Sequence, residues 1–181
     1  NNIGDQTGVL SADFPKGFAA FYVMKYEVSE EQWVDFFNTL TEDQKPFYDL
    51  TDINHKNSDG VVNRNTISYT EGEATTSAPA RAVNYVSWND FGSYLDWTAL
   101  RPFTELEYEK MTKGSGTGNP IPNQYAWGND RIYSSSYVLT NDGFNNAEIT
   151  NPGQSTGNAA YTSTHSSGPM RVGIFAASAT I

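Results

Sequence analysis

The chain has 181 residues, enough for one domain with a sizeable core and not comfortably two. Only 18% of residues are charged, and the net charge of −10 repels phosphate backbones, which sets nucleic acid aside as a partner. There is no cysteine, so disulfides, thiolate metal sites and cysteine nucleophiles are excluded within these residues, and no apolar run is long enough for a membrane-spanning helix.

Residues 1–17 carry no periodicity and read as a lead-in to a domain covering 18–181. Residues 18–28 read as a strand, with Phe21, Val23 and Tyr26 on one face. Ser29 with Gln32 three residues on is a capping-box pattern, and Trp33, Phe36, Phe37 and Leu40 recur at helical spacing. An amphipathic helix is therefore expected over residues 29–40. Residues 41–78 are polar and irregular. Asp59-Gly60 is a turn signal between short β-type runs at 61–62 and 66–69, so a hairpin is expected in this excursion.

Residues 79–86 read as extended. Ser87 and Asp90 then cap a second helix, with Trp88, Phe91, Leu95 and Trp97 as its buried stripe. Thr104 and Glu107 form another capping box and open a helix expected to end at Gly114. Arg101 lies just before it, placed to pair with one of its acids. Beyond residue 115 no helix is expected, and residues 170–176 read as a last strand.

Few residues carry chemistry in their own right. His55 and His165 are far apart without partner spacing and read as loop residues. Asn57, Asp59 and Gly60 lack the acids of a calcium loop and read as a turn. Asn141, Asp142, Asn145, Asn146 and Glu148 offer hard oxygens within a short loop, and calcium is the one cofactor that pattern suggests. Glu105, Glu107 and Glu109 read as helix-terminus charges rather than paired catalytic carboxylates.

Three segments in order resemble one family. Residues 21–29 followed by Gln32-Trp33 and Phe36 form the first. The second runs from Pro79 through Val86-Ser87-Trp88, Tyr94 and Trp97 to Arg101, Thr104, Glu105 and Glu107. The third is Tyr125-Ala126-Trp127-Gly128, followed by Gly168-Pro169-Met170-Arg171-Val172-Gly173. Together they are similar to the formylglycine-generating enzyme, or sulfatase-modifying factor, family. The resemblance implies an α+β fold of C-type-lectin-like type, with two or three short helices packed on small antiparallel sheets and many irregular loops. Ser87, Trp88, Arg101, Thr104, Glu105, Glu107, Trp127 and Gly128 are then its structural motif residues.

The family's later half, with the cysteines that bind copper and oxidise a substrate cysteine, is expected beyond Ile181, along with strands that close the fold. Leu95 stands where the family usually has a cysteine. The resemblance therefore implies a scaffold more than an enzyme. The expected role is a non-catalytic binding or structural domain that uses its polar loops, residues 41–78 and 134–167, to meet a protein, a glycan or a neighbouring subunit. The alternative is an oxidase that makes formylglycine, if cysteines follow residue 181. Composition, poor in Lys and rich in Asn, Thr and Tyr, suggests an exported bacterial surface protein.

Overall fold

The computed structural model describes residues 8–52, 63–113, 123–160 and 168–178. His55, His165, the Asp59-Gly60 turn and Gly114 lie outside them. The element order is α1 (Glu30–Asn38), α2 (Lys45–Tyr48), β1 (Ile67–Thr70), β2 (Glu73–Thr76), α3 (Trp88–Trp97), α4 (Glu105–Lys113), β3 (Leu139–Thr140), β4 (Glu148–Ile149) and α5 (Ile174–Ser178). The two sheets are antiparallel pairs, β1–β2 and β3–β4. The α+β class holds, with five helices among the described residues rather than two or three.

The three helix starts sit where their caps put them. Ser29 accepts from the Gln32 N–H while the Gln32 side chain accepts from the Ser29 N–H, and Ser87 and Asp90 repeat the exchange. Each box satisfies two backbone donors that a helix start leaves open. The inner stripes of α1 and α3 then meet. Trp33, Phe36 and Tyr94 form one core with Val28 and Leu50, the Trp33 and Tyr94 rings stacked at 6.2 Å and Phe36 edge-on to both.

Residues 79–83 run between this core and the C-terminal part. On one side Arg81 C=O accepts from the Glu30 N–H (2.7 Å), and Val83 N–H donates to Val28 C=O (2.9 Å). On the other, Ala82 N–H donates to Met170 C=O and Ala80 C=O accepts from Val172 N–H, both at 2.9 Å. A second, smaller core of Tyr137, Ile149, Met170 and Ile174 lies beyond.

Four expectations are corrected here. Residues 18–28 make no strand, because among the described residues only Val28, at their C-terminal end, finds a backbone partner. The hairpin exists, but its turn is Glu71-Gly72, both at positive φ (54° and 88°), so Ile67–Thr70 pairs with Glu73–Thr76. Residues 170–176 are not a strand: Arg171 makes a single bridge to Arg81 and the chain then coils into α5. Trp88 and Trp97 are not buried. The stripe of α3 turns inward at Tyr94 and Leu95, which leaves Trp88 70% exposed.

Candidate functional site: an aromatic groove

Residues 15–28 cross the molecule beside α3 and α4 and are fastened at both ends, with Gly173 N–H also donating to the Glu27 carboxylate (3.2 Å). At one end Thr104 Oγ1 donates to Pro15 C=O (2.7 Å), and Lys110 Nζ donates to Gly17 C=O (2.6 Å) and Ala19 C=O (3.0 Å). Gly17, at φ 74°, passes so close to α4 that an added Cβ would lie 3.2 Å from Leu106 C=O. At the other end Val28 is bonded to Val83. Between these ties, residues 20–26 make no backbone hydrogen bond to any of the described residues.

This unpaired run forms one wall of a groove of about 500 Å³. Val28, Phe91 and Leu95 line its depth. Tyr22, fully exposed, and Trp88 stand on its rim with Phe103 and Leu100. The opposite wall owes its position to a strained residue. Ala99 ends α3 in the left-handed region (φ 57°), and Leu100 N–H closes the helix on Leu95 C=O (2.8 Å). Residues 100–103 are thereby turned back along the groove.

One ion pair stiffens that wall. Arg101 donates to both carboxylate oxygens of Glu107, at 2.7 and 2.9 Å. Glu107 also accepts from the Thr104 N–H (2.9 Å), and its own N–H donates to Thr104 Oγ1 (3.3 Å), which completes the expected capping box. The Arg101 guanidinium, and then the Thr104 N–H, hold the Glu107 carboxyl down at about 2, and Arg101 is raised in turn by its bond to Glu107. These charges satisfy each other, and apart from Glu27 the rest of the groove lining is rings and aliphatic carbon.

The residues singled out from the sequence therefore divide. Ser87, Trp88, Arg101, Thr104 and Glu107 all build this groove or its walls, while Glu105 points to solvent from the first turn of α4. Trp127 and Gly128 lie elsewhere, in a turn where Gly128 N–H donates to Tyr125 C=O and the Tyr125 and Trp127 rings stack at 4.7 Å. Sequence reasoning missed the groove itself. Its only signal was the density of rings over residues 18–26 and 88–108, which a core reading had already absorbed.

Asn141, Asp142, Asn145 and Asn146 do share one turn, between β3 and β4. The Asp142 carboxylate in it is engaged by the guanidinium groups of Arg64 and Arg81. Asn141 Nδ2 donates across the turn to Asn146 C=O (3.4 Å). Asp142 Oδ2 thus balances two cations, while its buried Oδ1 has no hydrogen-bond partner among the described residues. Among the described residues no cluster of three or more His, Cys, Asp or Glu could hold a metal ion. The copper chemistry implied by the resemblance needs thiolates, and none of the 181 residues supplies one.

A family model described as the sulfatase-modifying factor enzyme 1-like domain matches residues 11–175. No curated protein and no solved structure matches the chain.

Proposed function

The chain belongs to the sulfatase-modifying factor enzyme 1-like domain family, and we propose that it serves there as a non-catalytic binding module on a C-type-lectin-like scaffold. The observation that carries this reading is the aromatic groove: Tyr22 is fully exposed and Trp88 is 70% exposed beside an apolar trough. Rings held in water cost free energy that only a partner recovers, at roughly 25 cal/mol per Å² covered. Binding at this place differs from the polar-loop contact expected from the sequence. Much of the polar material of residues 63–78 is consumed internally.

A protein partner fits the groove better than a glycan. Sugar recognition needs several side chains free to bond hydroxyls, and Arg101 and Glu107 are spent on each other. A bacterial surface location is an expectation of composition alone, which fractionation of expressing cells tests.

Emission from Trp88 reads the groove directly. In a protein whose other three tryptophans are replaced by phenylalanine, pooled apolar peptides should shift Trp88 emission to the blue, and pooled oligosaccharides should not. A response to the oligosaccharides alone would overturn the protein-binding reading.

A further inference from the structure

We draw no further inference here: the strongest candidate, the wall of residues 20–26 along the aromatic groove beside α3, belongs to the site already described, and nothing in the structure shows what covers it.

Discussion

Residues 63–78 and residues 20–26 each lie alongside a helix, and they sort polar and apolar groups in opposite ways. In the first stretch the polar atoms go inside. Glu30, fully buried at the start of α1, accepts from Thr66 N–H (3.1 Å), Thr66 Oγ1 (2.6 Å) and Thr76 Oγ1 (2.5 Å). Asn38 bonds both the N–H and the C=O of Ala74. Lys45, 6% exposed, closes the Glu71-Gly72 turn through Gly72 C=O. In the second stretch the rings stay outside and the main chain finds no backbone partner among the described residues. A polar segment became structural because α1 supplied a partner for its hydrogen bonds, and an aromatic segment became surface because nothing described covers it.

The largest effect should come from the shared core that both stretches flank. Trp33→Ala should lower stability by about 3–5 kcal/mol in chemical denaturation, since its ring is 1% exposed and stacks on Tyr94. Glu30→Ala tests the polar side of the contrast. It removes a fully buried acceptor of three hydrogen bonds and should cost about 3 kcal/mol, and a loss below about 1 kcal/mol would mean the hairpin is not held by this carboxylate.

Asp142→Asn should cost about 1–2 kcal/mol, because Arg81 is 7% exposed and would keep its charge with a weaker partner. Millimolar calcium should leave the melting temperature of the unaltered protein where it was. A rise would support the calcium reading of Asn141, Asp142, Asn145 and Asn146.

The Glu107 pair gives a pH signature. Its carboxyl sits at about 2 in the folded chain against an ordinary 4.5. A carboxyl lowered by folding contributes stability above its unfolded value and loses it as the pH falls through the folded one. The gap in melting temperature between the protein and Glu107→Gln should thus be constant from pH 7 to 5 and close as the pH falls from about 4.5 to about 2.

The smallest effect sharpens the comparison most. Trp88→Ala should change stability by no more than about 0.5 kcal/mol while weakening peptide binding at least tenfold. A loss near that of Trp33→Ala would mean that Trp88 is core after all.

What the sequence determined by itself was local. The helix starts at Ser29, Ser87 and Thr104 were legible because a capping box closes within four residues; Arg101 was legible as a partner for one of the acids of α4, and only the fold selects Glu107. The inward face of α1 followed from spacing alone, since Trp33, Phe36 and Phe37 recur on one stripe. The turn at Glu71-Gly72 was missed because glutamate is not a usual left-handed turn residue, and the conformation is imposed by pairing on both sides.

The rest was decided by tertiary structure. Whether Trp88 faces core or water depends on what lies opposite α3, and the winning stripe through Tyr94 is set by Trp33 and Phe36, more than fifty residues earlier. Whether residues 20–26 become a strand depends on a partner for their main chain, which strand propensity does not supply. Asp142 offers a hard oxygen beside its asparagines in the sequence, and only the fold brings Arg64 and Arg81, 78 and 61 residues away, onto it as ion-pair partners. Periodicity records which residues share a face. Only packing decides whether that face is covered, because burial and pairing are properties of two surfaces and the sequence of one segment describes one.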